Sequence, residues 1–183
     1  MYENQLCTWT SGENTMKLLL HVCCAPCLLG CIAALREENI EPALFWYNPN
    51  IYPNIEYNKR RDTLVQYAQN QNISLTMEDH FGLSIIDDPV QHSCTSCYRI
   101  RMEKTALMAK KQGCNAFSTT LFISPYQNHK LLRQEAEAAA DLHGISFLYR
   151  DFSPRFRTAQ EEARHLGLYR QKYCGCLFSK ENK

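Results

Sequence analysis

No run in this sequence approaches the roughly 20 apolar residues of a membrane-spanning helix, so no membrane partner is expected. The opening residues Met1–Thr15 lack the basic-then-apolar layout of a secretory signal, and a cytoplasmic chain is expected. Net charge is almost absent as well, at a formal +1. That removes any global nucleic-acid signature and leaves such a case to local patches. Neither an internal repeat nor a linker interrupts the chain. No glycine-rich pyrophosphate loop follows the first apolar run, which counts against ATP use.

What remains is a chain of 183 residues, enough for a proper hydrophobic core without disulfides. Met1–Thr15 reads as a flexible tail, or translation starts at Met16, and residues 16–183 read as a single α/β domain. Cys7 in the tail reads as a bystander. Candidate strands are Lys17–Val22, Pro42–Tyr47, Ser74–Met77, Ala116–Thr120 and Ile145–Tyr149. Tyr98, Met102, Thr105, Ala106 and Ala109 repeat at helical spacing up to Gly113. A further helix is expected between Asn128 and Gly144. Thr158 and Glu161 form a capping-box pair ahead of another, ending near Gly167. Strands alternating with helices predict a Rossmann-like α/β domain, its mostly parallel sheet covered on both faces. Ligands in such folds bind at the carboxyl ends of the strands.

Seven of the ten cysteines fall in three clusters: Cys23, Cys24 and Cys27; Cys94 and Cys97; Cys174 and Cys176. In a reducing compartment, grouped thiols point to metal or catalysis rather than to structural disulfides. Pro26 suits the first turn of a helix, whose free N–H groups stabilise thiolates, and Cys94 and Cys97 lead into another helix. Four thiolates from these two places suit a [4Fe–4S] cluster or a four-cysteine zinc site, and spacing does not choose between them. Cys24-Ala25-Pro26-Cys27 also reads as a dithiol redox pair, although that layout has no use for the other clusters. Gly175 permits a bend that aims Cys174 and Cys176 at one ion. Cys31 and Cys114 read as structural, and His21 as a hydrogen-bonded core histidine.

Other residues offer polar groups where a simple core needs none. The candidates for substrate binding are Asn48, Asn50 and Arg60 after the second strand, Thr119, Thr120 and Gln127 after the fourth, and Arg170. An ordinary loop with a helix cap is the plain alternative. Arg150, Arg155, Arg157, Arg164, Arg170 and Lys172 alternate with Phe152, Phe156, Tyr169 and Tyr173, a pattern suited to a phosphate backbone with unstacked bases. A solvated amphipathic helix is the alternative there. Lys59, Arg60 and Arg61 extend the patch.

Taken together, the segments His21–Cys27 (HVCCAPC), Asn48–Pro53 with Glu56, Tyr57 and Arg60, Cys94–Arg99 (CTSCYR), Thr119–His129 (TTLFISPYQNH) and Gly167–Ser179 (GLYRQKYCGCLFS) resemble the cobalamin-independent epoxyqueuosine reductases of the QueH type. The resemblance runs from Lys17 to Ser179. It implies a catalytic domain that reduces epoxyqueuosine to queuosine at the wobble position of tRNA. It also implies a [4Fe–4S] cluster, a second mononuclear metal (iron or zinc) and a reductant such as a ferredoxin. Carried over, Cys23, Cys24, Cys94 and Cys97 hold the cluster, and Cys174, Cys176 and Cys27 the second metal. Tyr52, Tyr126 and His129 are the candidate acids for protonating the leaving oxygen. A zinc-stabilised RNA-binding module and a sulfur-transferring tRNA enzyme are the competing readings.

Overall fold

Leu18, Leu19 and Leu20 lie on the central strand with no exposed surface, because helices cover both faces of the sheet. Fully burying one such side chain contributes about 1.5–3 kcal/mol. This computed structural model describes residues 16–79 and 93–176 together with Ser179, so the expected tail lies outside the described residues. Five parallel strands, β1 (Leu18–His21), β2 (Ala43–Trp46), β3 (Leu75–Met77), β4 (Ala116–Thr119) and β5 (Ser146–Phe147), stand in the order β3-β2-β1-β4-β5. Leu20 of β1 is in register with Leu44 on one side and Ser118 on the other.

The helices are α1 (Ala25–Glu37), α2 (Asn54–Asn70), α3 (Cys94–Lys111), α4 (His129–His143) and α5 (Phe156–His165). The strand order grows outward from β1 to β3, then returns to the other side of β1. Right-handed crossovers therefore send α1 and α2 to one face and α3 and α4 to the other. Contacts agree: α1 packs on α2 and α5, and α3 on α4. Between β1 and β4 the order reverses, and the two strands end at a shared crevice, where ligands of open α/β sheets bind.

The expected fold class is what the structure has, with local differences. Helix α2 was not foreseen. β5 holds two residues instead of five, and Thr120 leaves β4 for a 3₁₀ turn, Thr120–Ile123. Thr158 does not cap α5 but lies inside it. The chain enters α5 through another 3₁₀ turn, Ser153–Arg155, fixed when Asp151 accepts the Ser153 N–H at 2.9 Å. Two other boundaries follow the expected chemistry. Asn128 caps α4 by accepting the Leu131 N–H, and Gly144 ends it at φ 61°.

Candidate metal centre

β1 stops at His21, and the chain turns through Cys23 and Cys24 into α1. Cys24 takes the extended N-cap conformation, and Pro26 stands in the first turn. That turn lets adjacent cysteines converge with Cys27: the three buried sulfurs lie within 4.8 Å of one another. It is held across the crevice from the 3₁₀ turn after β4, where Thr120 Oγ1 accepts the Cys23 N–H at 3.1 Å and faces the Cys23 sulfur at 3.4 Å. Hydrogen bonds from the Cys24 and Cys27 thiols hold the Cys23 thiol well below its usual range, with help from Thr120. Burial pushes the Cys24 thiol up, and the hydrogen bond with Cys23 adds to it. From the C-terminal segment, Gln171 Nε2 donates to the Cys24 sulfur at 2.9 Å.

The other cysteines approach from two further segments. Cys94 opens α3, capped when Ser93 Oγ accepts the Ser96 N–H at 3.0 Å. One turn on, Arg101 Nη2 donates to the Cys97 sulfur at 3.1 Å, and burial raises the Cys97 thiol against that pull. Gln127 Nε2 reaches the Cys174 sulfur at 3.6 Å. A hydrogen bond from Cys176, together with the charges of Arg101 and Arg60, brings the Cys174 thiol down to about 5. None of the described cysteines is in a disulfide. Among the described residues, Cys23, Cys24 and Cys27 are the group close enough to share one ion as they stand.

The donor set fits a soft metal. Three buried sulfurs meet at one point, their protons shared with each other rather than with oxygen acceptors, and thiolates bind once those protons leave. Asn48 Oδ1, Asn50 Oδ1 and Gln171 Oε1 are buried without a hydrogen-bond partner among the described residues, and of these Gln171 also touches the sulfurs through its amide nitrogen. Beside the sulfurs opens a cavity of about 540 Å³, walled by Cys23, Cys27, Cys174, Gln127, Gln171 and Tyr126.

The remaining candidates divide by position. Gln127 and Tyr126 face the cavity; Tyr126 is 84% exposed, its ring against Phe156 edge-on. Arg60 also lines it, yet is 2% exposed and committed elsewhere: Nε donates to Glu56 at 2.7 Å, Nη1 and Nη2 to the carbonyls of Cys174 and Tyr173. Thr119 is buried on His21, which also meets the Tyr47 carbonyl; burial and then Arg101 lower the His21 pKa to about 4, so it stays neutral. Asn48 donates to the Val22 carbonyl at 2.8 Å. His129 turns its Nε2 to the Ser124 carbonyl at 2.9 Å. Tyr52 is half exposed; its N–H donates to the Gly175 carbonyl. Arg170 is exposed. Within the basic stretch, Arg150 pairs with Glu38 and Arg155 with Glu37, and Phe152 is buried, so those three serve the fold. Sequence reasoning missed Arg101 and Gln171. Their only signals were Arg101 one helical turn after Cys97 and Gln171 three residues before Cys174.

Residues 18–182 match the family described as Epoxyqueuosine reductase QueH. The chain belongs to this family. It is 34% identical over 167 residues to the epoxyqueuosine reductase QueH of Dehalococcoides mccartyi, covering 89% of this chain and 92% of that one. With the Thermotoga maritima QueH it shares 33% identity over 175 residues, 88% of this chain and 89% of that one. Among solved structures, the U34-tRNA thiolase NcsA from Methanococcus maripaludis, with its [4Fe–4S] cluster, aligns at TM-score 0.61 and 14% identity. The alignment covers 91% of this chain and 62% of the thiolase, a likeness of fold alone. No helix among the described residues is long and apolar enough to cross a membrane.

Proposed function

We propose that this QueH-family chain reduces epoxyqueuosine to queuosine at the wobble position of tRNA in the cytoplasm, using an iron–sulfur cluster and a neighbouring metal. The observation that carries the reading is the meeting of Cys23, Cys24 and Cys27 beside a cavity with Cys174 in its wall. The expected assignment gives Cys23, Cys24, Cys94 and Cys97 to a [4Fe–4S] cluster and Cys174, Cys176 and Cys27 to a second metal, iron or zinc. Because Cys27 stands with Cys23 and Cys24, we place it at the boundary between the two groups. When bound, the metals supply electrons one at a time and a Lewis acid for the epoxide oxygen.

The chain's own residues do the rest. Turning an epoxide into an alkene consumes two electrons and two protons and releases water. Of Tyr52, Tyr126 and His129, Tyr126 alone lines the cavity, and it is the acid we assign to the leaving oxygen. Gln127 is held by Tyr98, whose hydroxyl donates to Gln127 Oε1 at 2.7 Å, so its amide N–H points at Cys174. Phe156 and Tyr126 offer aromatic faces for an unstacked base. Exposed Arg157, Arg164, Arg170 and Lys172 offer charges for the tRNA backbone. A single-electron protein such as a ferredoxin suits as reductant. Anaerobic incubation with tRNA carrying epoxyqueuosine tests the reading: nucleoside mass spectrometry is expected to show loss of one oxygen. Unchanged epoxyqueuosine with a loaded, reduced protein contradicts it.

A further inference from the structure

Arg101 is 2% exposed, among the largest fully buried side chains of the molecule. Its Nε donates to the Cys97 carbonyl at 3.0 Å, its Nη2 to the Cys97 sulfur at 3.1 Å, and the Tyr98 ring lies 5.7 Å from the guanidinium carbon. No carboxylate pairs with it among the described residues, unlike Arg60, which has Glu56. A guanidinium does not give up its proton, and an uncompensated buried charge costs several kcal/mol. The groups whose ionised forms favour its charge are first the thiols of Cys97, Cys174 and Cys23, one from each cysteine segment, and then the Tyr98 hydroxyl.

A buried cation with no carboxylate partner among the described residues, and a ligand-type sulfur at 3.1 Å, suits a site whose sulfurs are charged. We infer that Arg101 is the internal counter-ion of the metal–thiolate centre and sets its reduction potential. The inference rests on the proposed iron–sulfur reading and on Arg101's permanent charge. A centre gains negative charge when reduced, so a fixed cation and an N–H donor on a ligand sulfur favour the reduced form. Arg101 therefore holds the potential within reach of a physiological reductant. It acts through Cys97 and the field around it, as a positioning and tuning residue.

The test is a redox titration, followed by electron paramagnetic resonance, of the anaerobically reconstituted full chain. Arg101→Met removes the charge at similar bulk. Arg101→Gln removes it while keeping an N–H for the Cys97 carbonyl, so the test survives if one variant fails to fold. Both are expected to have midpoints more negative than wild type, and Arg101→Lys to stay nearer to it. Under chelator challenge, the two neutral variants are expected to hold iron about 10–100-fold less tightly. A folded, loaded neutral variant with the wild-type midpoint overturns the role of Arg101 and leaves the iron–sulfur reading standing. A wild-type chain that assembles no iron–sulfur centre overturns both.

Discussion

The guanidinium of Arg60 donates to the carbonyl oxygen of Cys174 at 3.1 Å, tying the second turn of α2 to the third cysteine cluster 114 residues later. The same side chain reaches the Tyr173 carbonyl and is fixed by Glu56, whose other oxygen accepts from Tyr169. The pair is nearly sealed from water, at 2% and 8% side-chain exposure. A charge expected from the sequence to contact substrate lines the cavity and also clamps the third cysteine cluster.

Breaking a buried pair leaves the other charge stranded, at about 3–5 kcal/mol. Arg60→Ala is therefore expected to lower the unfolding free energy from denaturant titration by that amount and to lose metal. Arg60→Lys keeps the charge without the planar fork and is expected to recover stability only in part. Metal content equal to wild type in a folded Arg60→Ala chain would show that Cys174 needs no clamp.

Gly175 has φ +121°, a conformation L side chains rarely adopt, and an added Cβ would stand 3.2 Å from both Arg60 Nη1 and Ile51 Cγ1. Gly175→Ala is expected to cost about 1–3 kcal/mol in backbone strain and to displace Cys174 and Cys176. Thermal unfolding reads the first effect and metal per chain the second; a variant unchanged in both contradicts the account.

Gly30 is a packing position on α1. A Cβ there would meet Ile123 Cδ1 at 2.6 Å, Arg155 Cβ at 3.1 Å and Ala159 Cβ at 3.2 Å. Gly30→Ala is expected to destabilise the chain by about 1–3 kcal/mol through overpacking, with metal content unchanged in the folded fraction. Stabilisation instead, as a simple gain in helix propensity predicts, would mean that α5 shifts freely.

Arg170 is exposed and precedes Gln171 and Lys172, which line the cavity. If it meets tRNA phosphate, Arg170→Ala weakens binding and reduces the salt slope by about one unit. Binding isotherms at several salt concentrations decide this, and parallel slopes for variant and wild type remove Arg170 from the interface.

The sheet was legible because its strands are short apolar runs, the three central ones running out into cysteine, asparagine or threonine. The helix behind Asn54 was not, for a physical reason. Its buried stripe is Glu56, Tyr57, Arg60, Leu64, Tyr67 and Ala68, and two charged residues break the apolar period. His21 was legible as a core histidine because it stands inside an apolar strand, and its two hydrogen bonds satisfy it there. Arg101 and Gln171 were hidden because polar residues on a helix or loop ordinarily face water. Only tertiary convergence reveals that these two meet sulfur. The grouping of Cys27 with Cys23 and Cys24 depends on the turn out of β1, which residue spacing does not specify.

The most direct test of the cysteine centre is metal and sulfide analysis of anaerobically purified protein, with epoxyqueuosine reduction measured on the same sample. About four irons with matching sulfide, a further metal atom, and conversion to queuosine are expected. A colourless protein that is fully active with zinc alone would contradict the account.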